Sequence, residues 1–151
     1  MAEPPILAVS GRRYWRTRSA NAVIVRDPSL LRAGLLREVL LVLRGRGVDD
    51  PGTWGLPGGY LEDGEDFEQG LMREMAEELG AVPTLTFECH VDQPDEPHFN
   101  RSFRFRLPVD SAWAPTLNEE HTAYYWASPD TASRLRLHRY AAETLRLHRL
   151  L

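Results

Sequence analysis

Phe67, Leu71, Met75 and Leu79 recur at every fourth position, and Gly80 and Pro83 close the run. This spacing lays four apolar side chains along one stripe of an α-helix, and a helix with one apolar stripe must bury it against a partner. Gly80 suits a C-cap, Pro83 cannot continue the helix, and the first helical signals begin near Asp63. The polar side of this helix is unusual. Glu74, Glu77 and Glu78 fall at i, i+3 and i+4, and Arg73 is the only Lys or Arg between Gly52 and His90. Helical geometry gathers the three carboxylates into an arc of about 100° beside the stripe. Each close like-charge pair costs about 0.2–0.5 kcal/mol. A helix that needed only solubility would interleave Lys. The carboxylates therefore form either a solvated acidic face or the surroundings of a divalent cation, and hard oxygen donors suit Mg2+ or Mn2+.

The segment preceding the helix, RGVDDPGTWGLPGGY, carries two prolines and five glycines, and reads as loop. Gly58-Gly59 permits positive φ and close backbone approach. A glycine carbonyl there can join a metal shell, and loop N–H groups can face a phosphate. A plain turn is the other reading, and the adjacent acidic helix weakens it.

Around this unit the chain alternates strand and helix signals. Ser19–Arg26, Val39–Leu43, Thr84–Val91, the aromatic and basic alternation through Phe103 and Phe105, and the run TAYYWAS read as strands. The segments DPSLLRAG and DQPDEPH read as loops. Ser128 is an N-cap ahead of Pro129 at the first position of a helix, and HRYAAETLRLHRLL is a terminal amphipathic helix. Strands interleaved with two or three helices predict an α/β or α+β sandwich, as one domain over 1–151.

A net charge of −4 with scattered bases argues against a nucleic-acid backbone as partner. A single cysteine, Cys89, excludes an internal disulfide and any Cys-based zinc spacing. No apolar run reaches the roughly 20 residues a membrane-spanning helix needs, and the first residues lack the pattern of a signal peptide. The expected location is cytoplasmic.

Gly59, Glu65, Arg73, Glu74, Glu77, Glu78 and Gly80 stand at the spacings of the Nudix box, which the 23 residues 59–81 closely resemble. Met75 fills the apolar slot of that motif; Ala81 stands where a larger aliphatic residue is usual. The resemblance implies an αβα sandwich with a mixed central sheet and a divalent-metal-dependent pyrophosphohydrolase. Its substrate would be a small nucleotide: a nucleoside triphosphate, ADP-ribose or a nucleotide sugar. A catalytically silent nucleotide-sensing module on the same fold is the alternative. The resemblance puts Mg2+ or Mn2+ on Glu74, Glu77 and Glu78, with the Gly58 carbonyl as a further ligand. Arg73 would orient a catalytic carboxylate, and Glu65 would tie the loop to the helix. Glu74 is one candidate general base; the TLNEEH segment offers Glu120, with Glu119 beside it, as the other. His121 follows directly. A homodimer is compatible with the family.

For a base pocket the candidate walls are Tyr14, Trp15, Phe99, Phe103, Tyr124 and Trp126, each more often a core residue. Arg12, Arg13, Arg16 and Arg18 are candidates for phosphate contact, against the plainer reading of a solvated strand face.

Overall fold

The computed structural model describes residues 6–7, 13–14, 17–27, 37–95, 97–108 and 111–151. The elements run β1 (Ile6–Leu7), β2 (Arg13–Tyr14), β3 (Thr17–Arg26), β4 (Glu38–Arg44), β5 (Trp54–Gly55), β6 (Gly58–Tyr60), α1 (Phe67–Leu79), β7 (Thr86–Asp95), β8 (His98–Leu107), β9 (His121–Ala127), α2 (Pro129–Arg134) and α3 (Arg139–Leu147). The β1–β2 pair stands apart from a seven-stranded mixed sheet.

The sheet has two wings. In one, β3 pairs in parallel with β8 from Thr17↔His98 to Arg26↔Leu107, and β7 adds antiparallel outside β8. In the other, β4 pairs antiparallel with β9. Among the described residues the wings join at Val25↔Val39 and Arg26↔Glu38 and then diverge. Residues 54–60 fill the fork: β5 hydrogen-bonds to β4, β6 to β3, and the Pro57 carbonyl accepts the Ala22 N–H at 2.8 Å. The glycine- and proline-rich segment is thus a pair of short strands whose partners belong to different wings.

Helices cover both faces. Ala20, Ala22, Ile24, Leu40, Val42, Phe103 and Trp126 pack with Leu71, Met75 and Leu79 of α1. Val23, Val25, Val39, Leu41 and Ala127 pack with Ala132 of α2 and Ala141 and Leu145 of α3. Burial on both faces explains the continuous apolar runs of β3 and β4. The mixed sheet between helical layers agrees with the fold class expected from the sequence.

Several boundaries differ from the sequence reading, beyond the two short strands at 54–60. The helix starts at Phe67 rather than near Asp63. Asp66 caps it by accepting the Gln69 N–H at 2.7 Å, while Gln69 Oε1 accepts the Asp66 N–H at 3.1 Å. The segment 92–95 continues β7 instead of forming a loop. Pro94 is tolerated because β7 is the outer strand of its wing, where a missing N–H interrupts no ladder. The expected loop over Asp27–Gly34 lies almost wholly outside the described residues.

Candidate active site

The Gly58-Gly59 pair is wedged between β3 and α1, Gly58 against β3 backbone and Gly59 against the end of the Glu74 side chain. Gly58 has φ 144°, and a Cβ there would sit 2.1 Å from the Ala20 carbonyl oxygen. A Cβ on Gly59 would sit 2.8 Å from the Glu74 carboxyl carbon. The Gly58 N–H donates to Glu78 Oε2 at 2.8 Å. Glu78 is only 3% exposed. Burial, with Glu74 and Glu120 nearby, pushes its carboxyl up to about 8, against the opposing Gly58 hydrogen bond and Arg44.

Arg73 accounts for the missing lysines. Its guanidinium donates to both oxygens of Glu65 (2.8 and 2.9 Å), to Glu74 Oε1 (3.0 Å) and to the Tyr60 carbonyl (3.1 Å). It also lies 3.4 Å from Glu77 and 3.6 Å from Glu62. The Glu65 hydrogen bonds are the chief reason that its guanidinium is held more firmly protonated than usual, and the same contact lowers the Glu65 carboxyl. Glu65 Oε1 further accepts the Glu62 N–H at 2.7 Å, so it ties the loop to the helix. Burial raises the Glu74 carboxyl, with Glu77 and Glu120 adding to the effect and Arg73 opposing it. Glu77 stays about half exposed.

A second segment completes the cluster. The Thr116 N–H donates to the Leu79 carbonyl at 2.8 Å, the Asn118 side chain accepts the Glu120 N–H at 3.1 Å, and the Glu120 carbonyl accepts the Gly45 N–H at 2.8 Å. These bonds fix the loop before β9 to the end of α1 and bring Glu120 beside Glu78. Among the described residues, Glu78, Glu120 and His121 place one ligand atom each within 4.8 Å of one another. Glu119 is not in that group. Burial and Arg44 hold the His121 imidazole down at about 4, so its ring is neutral at pH 7.

On the other side of the glycine strand lies a cavity of about 500 Å³, between α3, the start of β3 and the β7–β8 end of the sheet. Its polar floor forms a directed chain. The Ser19 hydroxyl donates to Asn100 Oδ1 at 2.6 Å, so His98 Nε2, 3.0 Å from Ser19 Oγ, is its donor. Asn100 Nδ2 and the Thr144 hydroxyl both donate to Gln93 Oε1, at 3.0 and 2.9 Å. Tyr60 and Tyr140 flank the mouth, each in ring contact with His98.

The expected aromatic walls take other roles. Phe103 and Trp126 are core, Phe99 packs on Phe67, and Tyr124 is partly exposed on β9; none lines the cavity. Arg18 donates to the Glu65 carbonyl at 2.9 Å and lies over the Phe67 ring. Trp15, Arg12 and Arg16, and the side chains of Tyr14 and Arg13, are outside the described residues. Tyr60, Gln93, His98 and Tyr140 escaped sequence reasoning. Tyr60 adjoins the Gly pair, and that adjacency was the one available signal.

Glutamates on one helical turn behind a double-glycine strand, within a sandwich whose sheet splits around that strand, define a family as well as a fold. A NUDIX domain model matches residues 15–148. The nucleoside triphosphatase NudI of Escherichia coli O17:K52:H18 is 32% identical over 113 residues, covering 67% of this chain and 79% of that protein. A nucleoside triphosphate pyrophosphatase/Nudix hydrolase fusion protein of Bifidobacterium longum is 36% identical over 75 residues; the match covers 48% of this chain and 15% of that protein's length. The crystal structure of RenU, a Nudix hydrolase from M. smegmatis, shares the fold with a TM-score of 0.72 at 22% identity, over 96% of this chain and 91% of that one. The chain belongs to the Nudix hydrolase family. No helix among the described residues is long and apolar enough to cross a membrane.

Proposed function

We propose that this chain is a divalent-metal-dependent pyrophosphohydrolase that cleaves the diphosphate of a nucleoside triphosphate, or of ADP-ribose or a nucleotide sugar. The observation that carries this reading is Glu78: a carboxyl 3% exposed, with one backbone N–H as its only hydrogen-bond donor among the described residues, in the field of Glu74 and Glu120. Such a group is costly to ionise by itself and becomes favourable with a cation beside it. The donors present, carboxylate oxygens from Glu78, Glu120, Glu74 and Glu77 with the Gly58 backbone adjacent, fit Mg2+ or Mn2+. When bound, the cation would neutralise phosphate charge and stabilise the charge that builds on phosphoryl oxygen during cleavage.

The remaining work falls to the chain itself. Glu74, pinned by Arg73 at 3.0 Å and raised by burial, accepts the proton of the attacking water. Glu120 is the competing base, and its place beside Glu78 favours a ligand role instead. The nucleoside occupies the cavity across the glycine strand. There Gln93 Oε1 is taken by two donors, so its amide N–H₂ is what it offers a base or sugar acceptor. Asp49, Asp92, Asp95 and Glu143 line the same cavity, which favours an uncharged moiety there and the phosphates on the cation side. The similarity to a protein named as a nucleoside triphosphatase puts triphosphates first. An exposed Cys89 thiol is compatible with the cytoplasm.

The test is a panel of nucleoside triphosphates, ADP-ribose and nucleotide sugars incubated with the protein and Mg2+ or Mn2+, with products resolved by ion-exchange chromatography. The expected result is a nucleoside monophosphate with pyrophosphate or a second phosphate ester. Nucleotide binding by calorimetry with no product from any substrate would establish the sensing module instead.

A further inference from the structure

We infer that His121 is a ligand of the cation held by Glu78 and Glu120, and that its nitrogen turns the site toward borderline transition ions over Mg2+. The inference rests on the metal-dependent reading above and goes beyond it by adding a nitrogen donor to an otherwise all-oxygen set.

Three observations meet at this residue. The first is proximity: one ring nitrogen lies with carboxylate oxygens of Glu78 and Glu120 in a set within 4.8 Å of one another. Ligands about 2.0–2.2 Å from one ion are at most about 4.4 Å apart, so small side-chain rotations close this site. The second is an orphan. His121 is 7% exposed, and its Nδ1 is buried with no hydrogen-bond partner among the described residues. A buried ring nitrogen without a partner is costly unless something else engages it. His148 Nδ1 is likewise buried without a partner, but its Nε2 is 2.7 Å from Ser102 Oγ, and among the described residues it stands in no carboxylate cluster, so the orphan counts at His121 because carboxylates stand beside it.

The third is a backbone irregularity that aims the ring. In β9, Trp126 faces α1 and Ala127 faces α3. Strict alternation would send His121 to the α3 face with Ala127. The ladder instead shifts register, from Leu43↔Ala123 to Arg44↔His121, and the extra residue breaks the alternation. Bulges re-aim side chains in this way. The result is an imidazole beside Glu78, on the α1 side. A neutral imidazole suits Co2+ or Zn2+, whereas Mg2+ favours oxygen ligands and water and Mn2+, which takes both, stands between them.

The experiment uses metal alone on the full chain, without nucleotide. Calorimetry with Mg2+, Mn2+ and Co2+ should show Co2+ binding at least about tenfold tighter than Mg2+, with Mn2+ between them. His121→Gln should remove most of that preference, with a smaller change for Mg2+. Pulsed EPR of the Mn2+-loaded protein should show nitrogen coupling that changes isotope pattern when histidine is 15N-labelled. This readout needs no variant, so it stands even if His121→Gln misfolds. Bound Mn2+ without histidine coupling overturns the inference and leaves the metal-dependent reading intact. Failure of the wild type to take up any of the three ions sinks both.

Discussion

Arg73 grips Glu65 with two parallel hydrogen bonds, Nε to Oε2 at 2.8 Å and Nη2 to Oε1 at 2.9 Å, while Nη1 reaches Glu74 at 3.0 Å. One planar fork therefore fastens the loop to the helix and positions the candidate base. Lysine carries the same charge without the fork. Arg73→Lys should lower kcat by about 10²-fold, the lower end of general-base contributions, with KM changed less. It should also lose about 2 kcal/mol of stability, the range for hydrogen bonds to charged groups. Steady-state kinetics beside urea unfolding check both. A fall in KM-dependent terms alone would place Arg73 in substrate binding.

The two glycines separate folding from chemistry. Gly58→Ala would drive a Cβ into backbone, 2.1 Å from the Ala20 oxygen, at φ 144°. It should cost about 3 kcal/mol or more, since a strained backbone and a backbone clash add. Gly59→Ala meets instead the end of the Glu74 side chain at 2.8 Å, and that chain can swing away. It should fold with a Tm near that of the wild type and lose most of its turnover. Thermal unfolding should set the two variants apart, and initial rates should show that Gly59→Ala loses turnover at a Tm near the wild type's.

How much of this was legible in the sequence follows from which forces are local. The helix was readable because its stripe repeats every four residues and its ends carry Gly80 and Pro83. Its start was misplaced because acidic residues from Asp63 onward suit a helix N-terminus wherever it falls, whereas Gly64 at φ 84° and the Glu65 carboxylate, which captures the Glu62 N–H, hold a turn there. Residues 54–60 looked like loop because their strand partners, Val42 and Leu43 on one side and Ser19 to Asn21 on the other, are supplied by tertiary structure. Of the expected residues Glu74, Glu77, Glu78 and Glu120, the compact ligand set among the described residues holds Glu78 and Glu120, with His121 as its third member; Glu74 and Glu77 lie outside it. The cavity was invisible because Tyr60 and Tyr140 meet only through His98, which lies between them in the chain and whose place depends on β8 pairing with β3. Nothing in the local pattern announces the bulge that turns His121.

Glu78 should make metal uptake release protons. Its carboxyl is raised in the folded chain from the ordinary 4.5 to about 8, chiefly by burial. The stability that this group contributes to the metal-free protein is therefore present below the ordinary range and is lost as pH rises to about 8. Cation binding needs the ionised form, so affinity should climb by roughly tenfold per pH unit across this window and level off above it. Calorimetry at pH 7 in buffers of different ionisation enthalpy should show close to one proton released per ion. Glu78→Gln should flatten the stability profile in that window and abolish uptake.

The cavity should set KM without touching the chemical step. Tyr140 and Tyr60 stand at its mouth, and the Gln93 amide is oriented by Asn100 and Thr144. Stacking of a base on an aromatic ring contributes about 1–3 kcal/mol, so Tyr140→Ala should raise KM for the best nucleotide by about tenfold with kcat nearly unchanged. Gln93→Leu removes one hydrogen bond to substrate and also strands the Asn100 and Thr144 donors. It should raise KM by about fivefold or more, for roughly 1 kcal/mol per lost bond, and change the ranking among bases. Inorganic pyrophosphate lacks a nucleoside, so its inhibition constant should stay the same in both variants. A parallel loss of pyrophosphate affinity would mean that the phosphates, not the nucleoside, occupy this side of the glycine strand.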